Sequence, residues 1–356
     1  MTMDSQQSEQ LDALCEGLSS QASLVDASGN WPEQQLKLCK EYNVFRWFVN
    51  LEFGGWGWSE SQILAGYLRL SQCCLTTTFI LTQWNAACKR IAGSNNQRLR
   101  QLLLPQLASG EMFTTVGISH LSTSRQHLSA PVLQATESPD GAFLLNGFSP
   151  WVTGATAADV LVIGATLQDE RQIMMAIPRE RIGLTCGPGI PLVALTASCT
   201  DQVNFDNVRV EPNEVLAGPI KDVLLTNSGG GTGGLQTSTL AVGLALAATS
   251  FLMDQASKRP ELVAVATKIR EDVHELQSTL EKITLGTCDT SVAELRQRAN
   301  SLVLRSTQAA LSASKGAGFV ATHPAGRWAR EALFFLVWSC PQPVMTANLC
   351  ELAQLS

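Results

Sequence analysis

The period of the hydrophobic pattern changes twice along the 356 residues, and this limits the fold more than any other sequence feature. From Gln7 to about Gly110 apolar residues recur at helical spacing, as in Leu11, Leu14, Cys15 and Leu18. Ser59 stands where a helix through Tyr67 and Leu70 needs its cap. From Met112 to about Gly218 the pattern turns to short β-branched and aromatic runs: Met112–Gly117, Phe143–Asn146, Val160–Ile163, Ile173–Ile177 and Val203–Val210. Turn residues separate them, among them Pro139-Asp140-Gly141 and Asn146-Gly147. Beyond about Leu235 the helical period returns. Leu262, Ala266, Ile269, Val273, Leu276, Leu280 and Ile283 make one apolar seam, and Val292, Leu295, Ala299 and Leu302 repeat it. Helices, then strands, then helices predict an α+β fold, not the alternation of a doubly wound sheet. The expected units are an N-terminal helical domain (1–110), a middle β domain (111–218) and a C-terminal four-helix bundle (219–356).

Charge excludes some functions. With 25 Lys+Arg against 31 Asp+Glu and no basic block, a phosphate backbone is not attracted, so no nucleic-acid partner is expected. Met1–Gln10 is polar and does not read as a secretory signal. Ten scattered cysteines without a CxxC, and four His at no zinc-like spacing, read as free thiols in a reducing cytoplasm. No charged residue lies between Asp222 and Asp254, yet Gln236, Thr237, Ser238 and Thr239 interrupt the apolar run. A helix buried in a bundle or at a subunit interface is expected there, not a membrane span. Its excess apolar surface predicts a homodimer or homotetramer.

Gly229–Gly234 satisfies GxGxxG after the strand-like Val223–Thr226, with Asp254 about 20 residues on. A dinucleotide site needs a second parallel strand next, and Arg259-Pro260 leads into the heptad helix instead. A loop capping a helix is the expectation.

Four segments, in order, carry a wider pattern. They are Glu52–Ser59 (EFGGWGWS), Asn146-Gly147 with Trp151-Val152-Thr153, the run Leu195–Ser198 to Val203–Val210 and Leu216–Gly218, and Gly316–Phe319 with Arg330-Glu331-Ala332. With the three zones, this resembles the acyl-CoA dehydrogenase superfamily of flavoproteins over nearly the whole chain. The resemblance implies FAD, with Thr153 at the flavin N5 region, Trp151 beside the ring, and a small-molecule substrate such as an acyl-CoA. In that chemistry a carboxylate removes a proton alpha to a thioester while the flavin accepts a hydride.

The departures fall on the chemistry. Counting from Arg330 places Ser339 where the family's base stands, and Gly233 and Gly234 occupy the alternative base position. Of the family's flavin-covering loop only Ser124 matches, and Arg125 stands where Asp is usual. Arg259 falls at an Arg that helps to hold the diphosphate, while Ser312 replaces a Gln at that end. Three functions follow: a dehydrogenase-type flavin oxidoreductase lacking its usual base, a flavin monooxygenase or oxidase on the same fold using hydroxyl and His donors (Ser119, His120, Ser124, Ser339), or a non-catalytic relative.

Overall fold

The computed structural model describes residues 5–121, 131–225 and 234–355, with side chains from Glu9 onward. Five helices come first: α1 (Ser5–Ser28), α2 (Glu33–Glu41), α3 (Glu60–Cys73), α4 (Leu75–Ala92) and α5 (Gln97–Ala108). Ser59 caps α3 as its sequence predicts. Its hydroxyl accepts from the Gln62 amide, and the Gln62 side chain accepts from the Ser59 amide, so two otherwise orphaned donors are satisfied. α4 is buried nearly all round, including Thr76, Thr77 and Thr78.

Eight strands follow: β1 (Thr114–Gly117), β2 (Leu133–Glu137), β3 (Phe143–Val152), β4 (Val160–Leu167), β5 (Gln172–Pro178), β6 (Leu184–Cys186), β7 (Asp201–Val210) and β8 (Val215–Ile220). They form one sheet in the order β6-β7-β3-β2-β4-β5-β8. β1 and β2 both run parallel to β4 and share one of its edges. β1 pairs with Val160–Ile163 and β2 with Thr166–Leu167. The other pairings are antiparallel. Along β4 the faces alternate: Val160 and Val162 enter the helical core, while Leu161, Ile163 and Ala165 enter a second core within the sheet. Both faces of the strand are therefore covered, which explains its continuous apolar run.

Two sequence expectations need correction. Asn146-Gly147 is not a turn: β3 passes straight through it with a bulge against β7. Gly147 sits at φ +116°, and a Cβ there would lie 2.1 Å from the Val132 carbonyl oxygen, so the glycine permits close strand approach. Val223–Leu225 is a 3₁₀ turn, not a strand. Of Gly229–Gly234 only Gly234 lies within the described residues, as the residue before the next helix.

The later helices are α6 (Leu235–Ala256), α7 (Val263–Thr284), α8 (Val292–Ser314), α9 (Pro324–Leu333) and α10 (Gln342–Leu352). On α7 the seam residues Ala266, Ile269, Val273, Leu276 and Leu280 are buried, with Leu262 and Ile283 half-buried at its ends. α6 is long and apolar enough to cross a membrane, but 72% of its most apolar window is buried inside the protein. It packs on α3 so closely that a Cβ at Gly243 would fall 1.9 Å from Ser71 Oγ. Much of the apolar surface from which an oligomer was expected is thus covered within one chain. Residues of α1–α5 and α6–α9 belong to a single buried core.

Candidate functional site

The end of β3 carries the most unusual local structure. Trp151 is held at φ +57°, a left-handed conformation that costs a bulky L-residue about 1–2 kcal/mol, yet its side chain stays 52% exposed. An aromatic strained outward has not been placed by core packing. Two residues on, Thr153 is 2% exposed, and its hydroxyl lies 2.9 Å from that of Thr200. Thr200 lies 2.8 Å from the Ser198 hydroxyl, giving a buried chain of three hydroxyls. The facing turn is also strained, with Leu195 at φ +63° and Cys199 at φ +46°. Gly154, at φ +61°, donates to the Cys199 carbonyl, and Trp31 packs where a Cβ at 154 would be, 2.4 Å away. Trp31 meets Phe113 edge-on at 5.5 Å, so the segment after α1 backs this strand end.

A 3₁₀ turn, Ser119–Leu121, lies alongside. Ser119 donates to the Pro150 carbonyl at 3.0 Å. His120 Nε2 donates to the Gly164 carbonyl at 2.8 Å, leaving Nδ1 as an acceptor. Burial pushes the imidazole down to about 4, so it is neutral at pH 7. His120 Nδ1 and Ser149 Oγ are buried with no partner among the described residues. Each such orphan costs about 1–3 kcal/mol unless something hydrogen-bonds to it.

The other predicted site residues lie in two further groups. Ser339 is half-buried at φ +43°, on a turn held by its neighbours. Trp338 stacks on Phe334 at 5.0 Å and meets Phe79 edge-on, while its carbonyl accepts from Arg296 at 2.8 Å. Burial lowers the Arg296 guanidinium to about 10. Arg259 donates to the Ala313 carbonyl at 2.7 Å and to Glu261 at 3.3 Å. It therefore reaches the last turn of α8, beside Ser312. Ser124 lies outside the described residues. Among the described residues no hydrogen bond joins the Thr153, Ser339 and Arg259 groups.

Glu331 is the buried carboxyl nearest Ser339 in sequence, and it is not free. Arg327 lies 3.8 Å away on the same helix, and among the described residues neither carboxylate oxygen has a hydrogen bond. Burial raises its pKa to about 7 against the attraction of Arg327. Sequence reading missed Thr200, Ser149 and Trp31. Thr200 follows the Leu195–Ser198 segment of the family pattern by two residues, but only the fold pairs it with Thr153.

No protein-family model matches the chain. A dibenzothiophene monooxygenase from Rhodococcus erythropolis is 28% identical over 183 residues, which is 49% of this chain and 43% of that protein. The match thus spans less than half of that relative's length. Butyryl-CoA dehydrogenase from Megasphaera elsdenii superposes with a TM-score of 0.83 at 17% identity, covering 99% of both chains. This chain has the acyl-CoA dehydrogenase fold. Within that fold, the FMN-bound dibenzothiophene monooxygenase of Paenibacillus sp. A11-2 superposes with a TM-score of 0.79 at 17% identity, over 97% of this chain and 95% of that one.

Proposed function

We propose that this chain is a flavin-dependent oxidoreductase whose flavin ring lies against the end of β3, with Trp151 beside it and Thr153 at N5. The observation that carries this reading is the strained, outward Trp151 next to a buried hydroxyl chain. The residues present fit such a group. An exposed indole offers a planar face, while Ser149 Oγ and His120 Nδ1 are buried polar atoms with no partner among the described residues. Arg259, beside the end of α8, is the cation available to a diphosphate, which favours FAD over FMN. When bound, the flavin supplies hydride acceptance and, once reduced, reactivity with oxygen. Ser198 and Thr200 hold the Thr153 hydroxyl in one orientation and polarise it as a donor. Trp151 excludes water from one face, and His120, neutral at pH 7, accepts a hydrogen bond without adding charge.

The site favours monooxygenase or oxidase chemistry over acyl-CoA dehydrogenation. A hydroxyl without an adjacent base does not abstract an alpha proton near neutral pH, and Ser339 stands on a turn whose hydrogen bonds run between a guanidinium and carbonyls. General-base catalysis contributes about 10²- to 10⁴-fold, and its loss leaves a poor dehydrogenase. The dehydrogenase reading is favoured by one feature, Glu331, whose raised pKa suits acid–base work but whose position is against Arg327. The proposal includes a cytoplasmic homodimer or homotetramer, checked by analytical ultracentrifugation, and excludes nucleic acid and membrane as partners.

The test is a visible spectrum of purified protein with and without FAD or FMN, followed by anaerobic addition of butyryl-CoA. Bound flavin that butyryl-CoA does not bleach, but that oxygen reoxidises after chemical reduction, is the expected result. Ser339→Glu should then gain bleaching. Rapid bleaching of wild-type flavin would restore the dehydrogenase reading, and no flavin binding would leave a non-catalytic relative.

A further inference from the structure

Away from the β3 site, two cysteines meet between the first and third helices. Cys15 lies on α1 and Cys73 ends α3. Both thiols donate to the same acceptor, the Arg69 carbonyl, Cys73 at 3.2 Å and Cys15 at 3.9 Å, which gathers the two sulfurs around one oxygen. Cys15 is buried while Cys73 is half-buried, so a dissolved reagent meets Cys73 first. We propose that Cys15 and Cys73 are a peroxide-reactive dithiol that closes to a disulfide joining α1 to α3.

The surroundings separate the two roles. Once Cys73 ionises, the Cys15 thiol can turn from the Arg69 carbonyl to donate to the thiolate, and the Ser19 hydroxyl and the Arg69 and Arg327 guanidinium groups favour it as well. Cys73 is accordingly lowered to about 7, although burial opposes this. Cys15 is raised by that same hydrogen bond and by burial, with Asp12 adding to the effect. Its proton stays on until the second step. The remaining buried thiols differ: burial pushes Cys39, Cys74 and Cys88 upward, which keeps them protonated and inert.

The step balances with hydrogen peroxide as the oxidant. The Cys73 thiolate attacks one peroxide oxygen, the O–O bond breaks, and hydroxide leaves as Cys73 becomes a sulfenic acid. The Cys15 sulfur then attacks the Cys73 sulfur, the S–S bond forms and the S–O bond breaks. The Cys15 proton goes to the departing hydroxide. Two thiols lose two electrons, and one peroxide becomes two waters. The bond closes a loop of about 60 residues, which in the loop-entropy relation raises the melting temperature of a chain this size by roughly 5 °C.

Full-length protein is incubated with hydrogen peroxide at pH 7.5, quenched with N-ethylmaleimide while folded, and mapped by non-reducing peptide mass spectrometry. The expected result is a loss of 2 Da with the Cys15 and Cys73 peptides linked, reversed by dithiothreitol, and a melting temperature higher by about 5 °C. The oxidation rate should fall about eightfold from pH 7.5 to 6, against about thirtyfold for an ordinary thiol near 8.5. Cys15→Ala should leave a Cys73 sulfenic acid that dimedone traps, and the wild-type map stands even if that variant does not fold. A Cys73–Cys74 bond, over-oxidation of Cys73 with Cys15 still free, or a thirtyfold pH effect would overturn the proposal.

Discussion

Replacing Glu331 by Gln should remove a component of folding stability that falls as pH rises. The carboxyl is 1% exposed, makes no hydrogen bond among the described residues, and is pushed by burial up to about 7 against 4.5 for an ordinary Glu. Two effects compete. Desolvation disfavours the carboxylate, while Arg327 at 3.8 Å favours it. The raised value means that desolvation wins, because the ion pair is too long to add a hydrogen bond. A group with a raised folded pKa gives stability that is fully present below about 4.5 and lost as pH climbs through about 7. The gap between those values, at about 1.4 kcal/mol per pK unit, sets ~3 kcal/mol as the size of the loss. Glutamine keeps the shape and does not titrate. Unfolding in urea, followed by circular dichroism at several pH values, gives the wild-type minus variant stability. That difference should fall by ~3 kcal/mol between about pH 4.5 and 7.5 and be flat above. The constant offset is not the readout, since the variant also deprives Arg327 of its counter-charge. A difference that is flat, or that rises with pH, would show that Arg327 holds the carboxylate charged and would refute the reasoning.

Trp151→Gly should change the stability of the flavin-free protein by no more than ~1 kcal/mol, because a half-exposed ring is lost and a left-handed residue is relieved. Its flavin dissociation constant should rise about tenfold by fluorescence titration, the worth of one ring contact; an unchanged constant would move the flavin elsewhere. Gly243→Ala should destabilise by about 1–3 kcal/mol in urea, since its Cβ meets Ser71 Oγ at 1.9 Å and forces α3 from α6. A neutral result there would mean that the two helices are not tightly apposed.

Features that depend on neighbours in sequence were legible before the structure. The α7 seam and the Ser59 cap follow from local spacing, and both are found where expected. Asn146-Gly147 misled because its local signal is that of a hairpin, while its real constraint is the carbonyl of Val132, the residue just before the neighbouring β2. Likewise, nothing in the period of Val160–Leu167 shows that two parallel strands divide one of its edges. The site divides the same way. A motif singled out Trp151 and Thr153 as candidates, but the hydroxyl partner of Thr153 lies 47 residues on, and the ring that backs Gly154 comes from the segment after α1. Pairings of that range are set by the closed fold.

The single core shared by the first five helices and α6–α9 has a consequence for the order of events during synthesis. A ribosome releases α1–α5 and the whole sheet before α6, so the apolar face of α3 around Ser71 waits for Gly243, some 170 residues later, to cover it. Closing contacts that distant is slow, and the waiting intermediate exposes apolar surface and is prone to aggregate. The chain should therefore depend on chaperones in the cell, and a truncation before α6 should yield insoluble protein even though it retains every residue of the β3 site.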